Sequence, residues 1–140
     1  MTMEGRAMTD YKAAYEQWYS TRRASFPREA EQTSHYWACS ELLRAYYRPR
    51  VNPDPTCLAF CEALARRQIG LSPFMAQRWL REFGPPLPAN RGYQTMCSLL
   101  EHRDRLGDAI AVAQAALAAG WGGTWEKTIA RLTKRMQKKL

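Results

Sequence analysis

Residues able to do chemistry are scarce in this chain. Its 140 residues include two histidines and four cysteines. There is no nucleophile motif, no Gly-rich phosphate loop and no HExxH-type metal box, so nothing assembles an acid, a base and a nucleophile. Glu101, His102 and Asp104 are close in sequence but fall on different faces of one helix. An enzyme is therefore not expected, and no cofactor is implied. Long apolar runs are missing too: the longest, Ala109 to Ala119, is interrupted by Gln114 and falls far short of the roughly 20 residues of a membrane-spanning helix. Met1 to Asp10 carries polar and charged residues where a signal peptide needs an apolar stretch, which points to a cytoplasmic protein without disulfides. No segment alternates apolar and polar residues with β-branched enrichment, and there is no internal repeat. Acid is also short, with 13 Asp and Glu against 21 Lys and Arg for a net charge of +8. That excess favours a polyanionic partner, most often nucleic acid.

What is present is helical pattern. Hydrophobic residues at 46% and charged residues at 24% suit a globular chain, and the length suits one all-helical domain, 1–140, with residues 1–8 expected to be disordered. Thr9 or Asp10 can cap a first helix bearing Tyr11, Tyr15 and Trp18. A second helix runs from Pro27 to about Tyr47 with Tyr36, Cys39, Leu43 and Tyr46 on one stripe. Asp54 and Pro55 start a third, about Thr56 to Gln68, which Gly70 ends. Ser72 and Pro73 open a fourth, stopped by Gly84 and Pro85. A fifth covers about Tyr93 to Arg105. The sixth, alanine-rich Asp108 to Ala119, is expected to be the most buried, and after Gly120 to Gly123 a last helix is capped by Thr124. The expectation is an all-α bundle of six to seven helices.

Charge is concentrated rather than scattered. Residues 42–53 hold Arg44, Arg48 and Arg50 with no acid, and residues 63–81 hold Arg66, Arg67, Arg78 and Arg81, again with none. Residues 124–140 supply +5 of the +8. In the last helix Trp125, Ile129, Leu132 and Met136 recur at steps of four, three and four, and Lys127, Arg131, Lys134 and Lys138 repeat those steps two residues later. At about 100° per residue the rows lie some 200° apart, so one face packs while the other is cationic. Such a helix tracks a phosphate backbone, with Arg135 beside the row. It also suits an anionic membrane or a partner's groove, but the other arginine clusters favour nucleic acid, and no membrane partner is expected.

Residues 58–81 resemble the helix-turn-helix motif of DNA-binding proteins, through Ile69, Gly70 in the turn, Leu71, Ser72 as cap, Ala76 facing inward, and Trp79 and Leu80 as core anchors. The resemblance implies that the second helix enters the major groove. Gln77, Arg78 and Arg81 would then meet bases or phosphates, with Arg66 and Arg67 adding cationic surface.

It further implies a DNA-binding regulatory or accessory protein of a bacterium or mobile element. Two alternatives are a small basic subunit of a nucleoprotein complex, by analogy of size and charge with the small subunits of CRISPR effectors, and a phage or plasmid inhibitor that binds protein alone. DNA is favoured over RNA, with further protein partners or a homodimer compatible. Tyr46, Tyr47, Trp121 and Trp125 near basic segments could stack on bases, although a helical core uses such residues more often. His35 with Cys39 and Cys57 with Cys61 are each four apart and could converge as a Cys3His zinc site, or Cys97 and His102 could contribute. Against metal stand the lack of Cys-x2-Cys spacing and the apolar stripes on which the cysteines fall.

Overall fold

The computed structural model describes residues 28–50 and 54–140. The aromatic first helix and the N-terminal disorder read from the sequence lie outside the described residues. Five helices follow in chain order: α1 (Arg28–Tyr46), α2 (Pro55–Phe83), α3 (Arg91–His102), α4 (Leu106–Ala119) and α5 (Trp125–Lys138). Among the described residues there is no strand, only an isolated parallel bridge between Ala89 and Gly122. The all-α class holds, with five helices among the described residues where six to seven were expected of the whole chain.

The difference lies mainly in α2. Asp54 and Pro55 start it as read, the Asp54 carboxylate accepting from the Thr56 N–H at 3.0 Å. The turn expected at Gly70 does not occur: 29 residues form one unbroken helix with Pro73 inside it, about 43 Å long at 1.5 Å per residue. Cys57, Cys61, Leu64, Ala65, Gln68, Ser72 and Met75 are all buried. They form one stripe whose helical period passes through Gly70 and Pro73 without a break in phase. Ser72 does not cap a new helix; its hydroxyl donates back to the Gln68 carbonyl at 2.8 Å. Nor do Leu80 and Phe83 anchor a core: they are 43% and 67% exposed. Trp79 is half-buried, stacks at a tilt on Phe83 with centroids 4.6 Å apart, and donates its Nε1–H to the Pro86 carbonyl at 3.2 Å.

A buried amide joins α2 to α3. Asn90 is fully buried, and its Oδ1 accepts from the Tyr93 N–H at 3.2 Å as the N-cap of α3. Its Nδ2 donates to Ser72 Oγ at 2.8 Å. Next to it Gly92 faces α2 so closely that a Cβ there would sit 3.0 Å from Gln68 Cβ and 3.1 Å from the Ala65 carbonyl. Glycine is needed for this approach rather than for backbone freedom.

The central helix is α3, which packs against α1, α2 and α4 and has six of its 12 residues buried. The alanine-rich α4, expected to be the most buried, buries only five of 14. It lies across α3 and α5 with its other side in solvent, its alanines providing close approach on one face only. Gly120 ends it in a left-handed conformation (φ 86°). All five helices contribute to one core, which includes Cys39, Cys57, Cys61 and Cys97. A smaller cluster gathers Tyr36, Met75, Leu87 and Trp121. There Tyr36 stacks on Trp121 with centroids 6.2 Å apart.

The continuity of α2 is testable at the residues that suggested a break. A Cβ on Gly70 would meet nothing within 4 Å, and its φ lies outside the left-handed region. Gly70→Ala is expected to stabilise the fold by about 0.5–1 kcal/mol. Pro73→Ala, which restores an interior N–H, should stabilise it by about 1–3 kcal/mol. Urea unfolding measures both; a glycine turn followed by a proline at the first helical position would instead make the first change destabilising and the second near neutral.

Candidate nucleic-acid interface

The last helix is amphipathic as its spacing requires. Trp125 and Leu132 are buried and Ile129 packs against them, while the Trp125 Nε1–H donates to the Gly122 carbonyl at 3.1 Å. The cations divide by their angle from this core. Arg131 and Arg135 lie on the side facing α3. Arg131 holds both Glu101 carboxylate oxygens, at 2.5 and 3.0 Å, and Arg135 reaches Glu101 Oε2 at 3.0 Å. Lys139 pairs with Asp104 at the end of the same side. The Arg131 guanidinium beside Glu101 is the main reason that carboxyl is held below the usual carboxylate range.

Lys127, Lys134 and Lys138 sit next to Arg131 but further round the helix, directly away from the core. All three are exposed, and among the described residues none of them has an ion-pair partner. They fall within about 40° of one another around the helix and span about 16 Å along it. The expected row of four is thus a row of three lysines, with Arg131 drawn away by Glu101.

Along α2 the candidates share one side. Arg66, Arg67, Gln77, Arg78 and Arg81 lie within an arc of about 120° opposite the buried stripe, and all but Arg78 are exposed. Arg66 pairs with Glu62 at 3.6 Å. Glu62 also accepts from Arg103 at 2.6 Å, and that bond is the first cause of its lowered pKa. Arg78, read as a base-contacting residue, is instead half-buried between helices, donating to Glu82 at 3.1 Å and to Thr33 Oγ1 on α1 at 2.9 Å. With no turn before it, no short helix carries Gln77, Arg78 and Arg81 as a separate groove-reading element.

The aromatic candidates serve mainly the interior. Trp121 and Trp125 are buried. Tyr46 and Tyr47 are half-buried against the core, and the Tyr47 hydroxyl donates to Ser98 Oγ at 2.7 Å. The cysteines behave likewise. Burial pushes the Cys39 thiol up to about 11 and the Cys61 thiol to about 12, and Cys57 Sγ contacts the Tyr46 carbonyl at 3.5 Å. The convergence sketched for His35, Cys39, Cys57 and Cys61 does not form: among the described residues no three His, Cys, Asp or Glu side chains gather as a metal cage. Those cysteines pack as small core residues.

A polar cleft of about 580 Å³ opens between the turn after α1, the end of α3 and the middle of α5. Arg131, Arg135 and Glu101 form one wall, and Pro49, Arg50, Ser98 and His102 complete the lining. The sequence placed Arg50 in an acid-free stretch but gave no sign that it shares a cleft with α5. Only the approach of three separated segments does that.

Comparison of the chain with known protein families, with curated proteins and with solved structures finds no match. No helix among the described residues is long and apolar enough to cross a membrane.

The Glu101 cluster makes a pH prediction. A depressed folded-state carboxyl pKa contributes stability above the unfolded value of about 4.3 and loses it as pH falls through the folded value. Glu101→Gln should lower stability by about 1 kcal/mol at pH 7. The gap between variant and wild type should close below about pH 4 in thermal melts. A gap that stays constant across that range would mean Glu101 is not held by the arginines.

Proposed function

We propose that this chain is a non-enzymatic nucleic-acid-binding protein that grips the phosphate backbone without reading sequence, as a small helical component of a nucleoprotein complex. The observation that carries the reading is the row Lys127, Lys134 and Lys138 on α5, free of carboxylate partners among the described residues. Cations already neutralised by neighbours release little when they meet phosphate, whereas unpaired lysines exchange water and counterions for phosphate directly. Arg66, Arg67 and Arg81 are also exposed on α2, but Arg66 is paired with Glu62, and the reading rests on the α5 lysines.

A sequence-reading regulator draws less support, because it relied on a short recognition helix after Gly70 and on Arg78, which is engaged by Thr33 and Glu82. The exposed Leu80 and Phe83 at the end of α2 favour a component that also touches protein.

Fluorescence anisotropy against duplex DNA, single-stranded DNA and RNA over a salt series tests this. Wild type is expected to bind with affinity that falls steeply with salt and depends little on sequence. Replacing Lys127, Lys134 and Lys138 together by alanine should reduce the log–log salt slope on duplex by about 2 to 3. Failure to retain any of the three nucleic acids at about 50 mM salt would refute the reading.

A further inference from the structure

The cleft beside α5 differs in kind from the lysine row. It is concave, and its cations are guanidiniums rather than ammoniums. Arg131 and Arg135 are both fixed on Glu101. Arg131 spends one N–H from each terminal nitrogen there and Arg135 spends one in all, so each keeps further donors. Arg50 enters from the turn after α1 with no ion-pair partner among the described residues. Ser98 Oγ, whose lone pair takes the Tyr47 hydroxyl proton, has its own O–H free to donate. Three guanidiniums against one carboxylate leave two positive charges over the cleft.

That balance selects among phosphates. An internal phosphodiester carries one negative charge, whereas a phosphate monoester carries about 1.5 to 2 at neutral pH with three terminal oxygens to accept forked Arg donors. The volume of about 580 Å³ lies within the roughly 300–1,000 Å³ of clefts that enclose small ligands. It therefore has room for more than the phosphate. Arg131, which holds Glu101, lies only about 20° around α5 from Lys138 and about 40° from Lys127, so the lysine row borders the cleft and a strand gripped by the row can end in it.

We infer that the cleft formed by Arg50, Ser98, Arg131 and Arg135 around Glu101 is a phosphate-monoester site that takes the phosphorylated terminus of a nucleic-acid strand. The inference rests on the nucleic-acid reading for its ligand but on different residues. Arg50 and Arg135 contact the phosphate. Glu101 is a positioning residue, holding the two α5 guanidiniums in place.

The test uses one single-stranded DNA sequence with a 5′-phosphate, a 3′-phosphate or no terminal phosphate, and 5′-AMP against adenosine as small probes. A phosphorylated strand should bind about tenfold tighter than the unphosphorylated one, and whichever end shows the preference identifies the terminus. 5′-AMP should bind saturably by calorimetry, and adenosine should not. Arg50→Ala and Arg135→Ala should each reduce the phosphorylated strand towards the unphosphorylated level, while leaving the affinity for the unphosphorylated strand within about twofold. Circular dichroism melts identify any variant that has merely unfolded; Arg50→Lys, which retains charge but not the fork, should then keep only part of the preference. Equal affinity for all three strands, with no binding of 5′-AMP, overturns the inference and leaves the nucleic-acid reading standing. Saturable 5′-AMP binding lost in Arg50→Ala, with no strand bound at all, keeps the phosphate site and removes the nucleic acid.

Discussion

The arrangement of this protein depends on one buried amide. Asn90 caps α3 through its oxygen and holds α2 through its nitrogen, by way of a serine hydroxyl that is itself bonded to the α2 backbone. A fully buried side chain whose oxygen and nitrogen both find partners fixes direction as well as distance, because no equivalent set of partners exists if either helix slides or rotates. Gly92 then lets the two backbones meet with no Cβ between them. With α3 set in this way, its far end carries Glu101 to the one side from which α5 can be reached. The electrostatic face of the last helix thus follows from an uncharged contact at the opposite end of α3.

Scarcity of acid gives each carboxylate unusual leverage. Glu101 takes up two arginines, Glu62 two more, and Asp104 one lysine. The cations out of their reach are the ones that define the surface. Net charge alone would rank all 21 basic residues equally; their distance from a few acids separates anchoring groups from those available to a partner. Exposed pairs of this kind contribute modestly to stability, and their larger effect is to determine which positive groups are already committed.

Much of this was legible along the chain. The Asp54 and Pro55 start, the Gly120 stop and the opposed apolar and basic rows of α5 are local features, and local geometry settles them. The Gly70, Ser72, Pro73 sequence misled for a physical reason. Each residue favours a break by itself, but packing of one continuous stripe on α1 and α3 outweighs them. The clue was present in phase: Cys61, Leu64, Ala65, Gln68, Ser72 and Met75 keep helical spacing across the supposed turn, obscured because two of the six are polar. The role of Arg78 and the pairing of Arg131 could not be read, since both depend on which helix lies opposite. The alanines of α4 misled in a related way, because small residues permit close packing on one face without requiring it on the other.

The exposed end of α2 has a consequence for behaviour in solution. Leu80 and Phe83 stand on the surface of a molecule carrying +8, so two copies brought together at that end must overcome mutual repulsion, which reaches about 10 Å at 0.1 M salt. Added salt shortens that reach and leaves apolar attraction intact or strengthened. Ionic strength therefore acts in opposite senses on the two proposed surfaces, weakening the attraction of the α5 lysines for a polyanion while removing the barrier that keeps the tips of α2 apart. High salt, which would release a polyanion from the proposed surface, is also the condition under which self-association at α2 becomes most favourable.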